Sequence, residues 1–179
     1  MDINSVIAAI KERCASFDGN VAGAAEYKRL PETANLDMPA AYVIPMDDEV
    51  GEQASNNGYR QPLTDAIAVV VVLSNAVDER GQGSITSVRA IRSELWKGLL
   101  GWEPDTDHGP ISYEGGNLID LDRARLYYQF EFSAETEIAE EDTWRATRNA
   151  ALPPLTTTRL TVDEPAGTTE VSATLTHQQ

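Results

Sequence analysis

Residues 65–74, DAIAVVVVLS, are apolar at odd and even positions alike, and this run constrains the fold more than any other stretch. Side chains of a strand alternate between two faces, so a strand that is apolar on both must be covered on both. The run has strand length and falls far short of the roughly 20 apolar residues that a membrane-spanning helix needs. It predicts a central strand with packing on each side, which the rest of the chain has to supply.

Further strands are legible on either side. PAAYVIPM (39–46) reads as a short strand, and Pro45 places it at an edge or a bulge because proline cannot donate to a ladder. The intervening DDEVGEQASNNGYRQP (47–62) is acidic, rich in Gly and Asn, and long for a hairpin connection. It predicts a projecting loop that joins an antiparallel pair. Downstream, RARLYYQFEFSAETEI (123–138) alternates cleanly, with Leu126, Tyr128, Phe130 and Phe132 on one face. Arg125, Tyr127, Gln129 and Glu131 take the other. That is a long strand with one face on a core and one available to water or a partner, and the outer four are candidate assembly contacts. ISYEGGNLIDL (111–121) reads as two short strand-like pieces around Gly115 and Gly116.

Two helices fit the covering role. Asp2 can cap a first helix to about Phe17, with Ile3, Val6, Ile7, Ile10, Cys14 and Phe17 on one stripe and Lys11, Glu12 and Arg13 outward. Gly19 ends it, and residues 18–39 read as loop with a short turn around AAEYKRL. A second helix runs from Ser84, as N-cap, to about Leu100, burying Ile85, Val88, Ile91, Leu95 and Leu99, with Gly101 as its stop. The expected fold is a single α+β domain, a mainly antiparallel or mixed sheet packed by two helices, over residues 1–138.

From residue 139 the character changes, with a boundary placed near 140–152. AEEDTWRATRNA predicts a short helix, LPPL breaks it, and a Thr-rich tail follows. Leu160 and Val162, which join the candidate assembly contacts, oppose Val171 and Leu175 across an EPAG turn. A lone two-stranded hairpin is marginal in water, so this C-terminal β-type arm (139–179) needs a surface to lie on, its own domain's or a neighbour's.

Candidate chemistry concentrates in GWEPDTDHGP (101–110). An EF-hand loop starting at Asp105 would need an oxygen ligand at its fifth position and Gly at its sixth, where this chain has Gly109 and Pro110. Zinc fares no better, with His108 and His177 the only histidines and Cys14 the only cysteine. Asp120 and Asp122 could complete an oxygen cluster, but a helix stop, a proline turn and a solvated loop explain the stretch more simply. Gly81, Gly83 and Ser84 have the layout of a phosphate cradle, yet Asp78 and Glu79 would oppose a phosphate, which favours a flexible connection. Neither G-x-S-x-G nor H-E-x-x-H occurs. Trp96, Trp102, Trp144 and Tyr127–Tyr128 read as core or interface, and Cys14 as a small buried residue and not a catalytic thiol. No catalytic residue, metal or cofactor is expected.

The formal net charge is −15, spread at about −5 over each of residues 1–60, 61–132 and 133–179. Such a surface repels nucleic acid and anionic membrane, and suits a protein that DNA passes without being held. The N-terminus lacks the basic start and cleavage site of a signal peptide, so the protein reads as soluble and made in the cytoplasm.

The run LWKGLLGWEPDTDHGPISYEGGNLIDLDRARLYYQFEFSAETEI resembles the tail terminator proteins of long-tailed bacteriophages. The pattern is a helix ending in Leu-Trp…Leu-Leu-Gly-Trp-x-Pro, a Tyr-x-Gly-Gly hairpin, then an aromatic strand ending in Glu131-Phe132. The resemblance covers residues 1–138 and departs at Tyr127-Tyr128, where such sequences often carry Trp. It implies an α+β domain in a hexameric ring that caps the tail tube, ends its polymerisation and joins tail to neck. It also implies tail-tube and neck proteins as partners, a place at the tail–neck junction of the virion, and neither catalysis nor a cofactor. Two alternatives are another neck or tail-completion protein, and a small metal-dependent enzyme or ligand-binding domain using the acids of 103–122.

Overall fold

A computed structural model describes residues 1–28, 36–54, 58–75, 82–153, 157–162 and 171–176. Its spine is a pair of 14-residue strands, β4 (Gln61–Ser74) and β6 (Arg125–Ile138). They run antiparallel in unbroken register, from Gln61 opposite Ile138 to Ser74 opposite Arg125. β2 (Ala40–Pro45) pairs antiparallel with the other side of β4, and β1 (Val21–Gly23) lies parallel to β2. β3 (Glu49–Val50) adds to β4 at Thr64 and Leu63, and β5 (Ser112–Leu121) closes the far side of β6. The mixed sheet has the order β1-β2-β4-β6-β5, with β4 central as its composition requires. β1 reaches only Ala41–Val43, so Pro45 stands where β2 has a strand on one side alone.

Both faces of β4 are buried. On one, α1 (Ile3–Arg13) and α3 (Gln82–Leu99) contribute Val6, Ile10, Ile91, Leu95 and Leu99 to a core with Val69, Val71, Phe130 and Phe132 of the sheet. On the other, Ala68, Val70 and Val72 pack with Ala40 and Tyr42, covered by Tyr27, Leu36, Met38 and Tyr127. Tyr27 belongs to α2 (Ala24–Tyr27), a single turn where the sequence predicts one, and its ring lies 5.7 Å from that of Tyr42. This second cluster gives the apolar run its second covering. β1, which the sequence reading leaves as loop, is too short to show any alternation.

Two of the four helix ends differ from expectation. Asp2 caps α1 as expected, accepting from the Asn4 N–H at 3.0 Å. α1 stops at Arg13 and not near Phe17, because the Ser16 N–H and hydroxyl turn to Glu94 of α3, at 3.2 and 2.6 Å. A 3-10 turn over Ala15–Phe17 still carries Phe17 into the core. α3 begins at Gln82, so Ser84 lies inside the helix and is not its cap; local cap preference fixes helix starts only loosely. Gly81, Asp78 and Glu79 of the cradle reading lie outside the described residues. Gly101, with φ +77°, stops α3.

α1 and α3 touch closely at Gly98, where an added Cβ would stand 3.3 Å from the Cys14 sulfur. Burial, then the Glu94 charge, pushes that thiol up to about 11, which fits a packing role. The two predicted pieces around Gly115–Gly116 are one strand, β5, irregular between Tyr113 and Gly115 and between Leu118 and Asp120. Gly116 is required there, since a Cβ would come within 2.9 Å of the Tyr113 hydroxyl and 3.0 Å of the Gln129 carbonyl oxygen.

The chain divides into two units, Met1–Ala139 and Glu140–Gln179. The second holds a 3-10 turn (Glu140–Asp142), α4 (Trp144–Ala150) and an antiparallel hairpin of β7 (Thr157–Val162) and β8 (Val171–Thr176). Val162 stands opposite Val171 as expected, while Leu160 pairs with Ala173 and Leu175 with Thr158. The EPAG turn and His177 lie outside the described residues.

Candidate functional site

The 101–110 segment exposes Gly101, Glu103, Thr106, Asp107 and Pro110, as a solvated loop should, but it is also tied down. Gly101 donates to the Ile111 carbonyl at 3.0 Å and Ile111 to that of Trp102 at 2.9 Å, closing the loop at its base. Pro104 is buried, and the Arg13 guanidinium sits 4.7 Å over the Trp102 ring. Asp105 Oδ1 accepts from the backbone N–H of Asp107 and of His108, both at 3.0 Å, an Asx turn that sets the loop's shape.

His108 then reaches inward. Its side chain is only 10 % exposed, with Nδ1 2.7 Å from Asp105 Oδ1 and Nε2 2.9 Å from Asp65 Oδ2 on β4. The terminal ammonium of Met1 also binds Asp65, and the Asp2 N–H donates to Asp105 at 3.1 Å. Carboxylates only accept, so both histidine bonds form together when the ring carries two N–H groups. The sequence holds no sign of this pairing, because Asp65 lies 43 residues from His108.

Burial opposes ionisation of Asp105, but hydrogen bonds from His108 and the N–H groups of Asp107 and Asp2 outweigh it and hold the carboxyl at about 2. Asp65 is lowered in the same way, with burial outweighed by hydrogen bonds from the terminal ammonium and His108. A depressed carboxylate contributes stability above its ordinary value of 3.8 that is lost as pH falls toward the folded value, here about 2. His108→Ala should therefore lower the urea midpoint at neutral pH and flatten its decline across that acidic window. An equally steep decline in the variant would show that His108 does not hold these carboxylates.

Asp120 pairs in register with Tyr127 at the far end of β5, and Asp122 Oδ1 accepts from Ala124 and Arg125 in the β5–β6 turn. Neither joins the loop carboxylates. Among the described residues no three His, Cys, Asp or Glu side chains gather in a group able to hold a metal ion.

The outward row of β6 is more closely held than alternation alone predicts. Arg125, Tyr127, Gln129 and Glu131 are all half-buried. Arg125 donates to the Tyr127 hydroxyl at 3.4 Å, and Gln129 to Glu131 at 2.6 Å. Tyr127 belongs to the second core cluster and so is not simply open to water. Two hollows flank the row. One, about 560 Å³, is lined by Tyr27, Lys28, Ile119, Asp120, Asp122, Arg125 and Tyr127. The other, about 830 Å³, brings Asp47, Glu49, Glu114, Glu131 and Glu135 around Ala66 and Phe132. Glu114 accepts from the Ser133 hydroxyl within it. The sequence could not single out these acids, since carboxylates occur along its whole length. The side chains of Leu160 and Val162 lie outside the described residues; their backbone sits in β7.

This face is acidic along the hollow beside Glu131. Its relatives decide what it belongs to. The sequence profile of the phage tail terminator protein family matches residues 1–143. The chain belongs to that family. As a member it is a structural component of the virion tail, assembling with other virion proteins, and not an enzyme. A chain in the virion of a native gene transfer agent particle is similar over 75 % of this chain and 96 % of its own, at 12 % identity and a TM-score of 0.47. No curated protein matches. No helix among the described residues is long and apolar enough to cross a membrane.

Proposed function

We propose that this tail terminator family member caps the phage tail tube as a hexameric ring, ends tube polymerisation and joins tail to neck. The observation that carries the reading is the family match, which spans the whole first unit, Met1–Ala139. The charge of −15 and the acid-lined hollow beside Glu131 support a ring that DNA crosses without sticking. The partners on this reading are further copies of the chain, the tail-tube protein and a neck protein, at the tail–neck junction. Residues 1–138 form the ring body and 139–179 an assembly arm, with Arg125, Tyr127, Gln129 and Glu131 of β6 and Leu160 and Val162 of β7 at subunit contacts.

Sedimentation of the purified chain, alone and with tail-tube protein, tests this reading. Ring-sized particles are expected in at least the second sample; a chain that stays monomeric in both at high concentration contradicts it.

A further inference from the structure

The 101–110 loop is fastened to both central strands. β6 holds it through the Gly109 N–H, which donates to the Glu135 carbonyl at 2.8 Å, and through the Thr136 hydroxyl, which donates to the Asp107 carbonyl at 2.6 Å. β4 holds it through Asp65, 2.9 Å from His108 Nε2. Beyond the histidine, Gly109 and Pro110 line the hollow that Glu131 and Glu135 make acidic.

These fastenings differ in chemistry. Amide and hydroxyl donors keep their hydrogens as pH rises through neutrality, whereas an imidazolium ring can lose one. The two ring nitrogens of His108 face two carboxylates, Asp105 at 2.7 Å and Asp65 at 2.9 Å. A ring with two N–H groups donates to both. A neutral ring has one N–H and turns a lone pair toward the other carboxylate. The charged groups around it are Asp65 of β4, Asp105 and Asp107 of the loop, Asp2 at the head of α1, and the Met1 ammonium on Asp65. On the β6 side, Glu135 meets the loop through its backbone carbonyl. Asp65 and Asp105 ionise below their ordinary value, so both keep their charge where a histidine changes its own.

We propose that His108 is a proton-operated latch: the doubly protonated ring ties the 101–110 loop to β4, and loss of one ring proton releases the Gly109–Pro110 wall of the acid-lined hollow. The bond to Asp65 is the one that goes. Asp105 belongs to the same turn as His108, so the remaining N–H stays with it while the Nε2 lone pair turns away from β4. The latch is a property of the single chain and is independent of the ring reading.

Hydrogen exchange at single amides of the full chain tests it, read by NMR from about pH 5 to about 9, past the range where histidine ordinarily changes charge. Protection is corrected for the intrinsic pH dependence of exchange. As the ring titrates, followed by its own carbon-bound protons, protection of the His108 and Gly109 N–H groups should fall with the same midpoint. The fall should be about tenfold, as for one lost hydrogen bond to a charged group. Amides of the β4–β6 ladder should keep their protection, which separates loop release from global unfolding. His108→Gln should remove the ring signal, distinguishing it from that of His177, and abolish the pH-dependent fall. Asp65→Asn gives the sharper contrast, because its amide can donate to a neutral Nε2 and should keep the loop protected at high pH. A histidine that serves packing alone would show no such rescue. Protection that ignores the ring's titration, or that falls equally in Asp65→Asn, overturns the latch. So does a ring that fails to titrate before the ladder itself opens.

Discussion

Replacing Phe130 by alanine is expected to destabilise the protein by about 3–5 kcal/mol, a loss comparable to the whole stability of a marginal domain. Phe130 is fully buried at the centre of β6, and its ring lies 4.8 Å from that of Tyr128. Its register partners are Val69 on β4 and Gly116 on β5. The glycine has no side chain to move into the space, so the cavity would stay largely open. Gln129→Ala, one residue away on the opposite face, should cost only about 0.5 kcal/mol. Urea unfolding of the two variants measures the contrast. Equal losses would mean that the strand does not present these faces as described.

Deleting residues 150–179 is expected to leave the first unit folded while abolishing or strongly weakening assembly. The described residues of both core clusters lie within Met1–Ala139. The shortened chain should keep a cooperative unfolding transition with a midpoint near that of the full chain. Its sedimentation should shift toward monomer under conditions where the full chain forms larger particles. Loss of the cooperative transition would show that the arm is part of the core, and unchanged assembly would remove it from the subunit contacts.

The features legible in the sequence were those set by local periodicity. DAIAVVVVLS announced a strand covered on both faces, and the Leu126, Tyr128, Phe130, Phe132 alternation fixed which side of β6 meets the helices. Asp2 and Gly101 marked helix ends through their own backbone and side-chain chemistry. The features that escaped depend on distant partners. β1 exists because β2 lies beside it, and α1 stops early because Glu94, 78 residues from Ser16, competes for the backbone. The 101–110 loop illustrates the limit most sharply. Its sequence does not show that His108 turns inward, since the carboxylate that draws it sits on β4. Arg125, Tyr127, Gln129 and Glu131 lie on the face of β6 opposite the one that meets the helices. What sequence could not show was that Tyr127 would close the second cluster while the acids near Glu131 would open into a hollow.

The most direct test of the terminator role is electron microscopy of tail-tube protein polymerising with and without the full chain. The account predicts shorter tubes in its presence, each with ring-shaped density closing one end. Tubes that grow to the same lengths with bare ends, at concentrations where the chain is in excess, would contradict it.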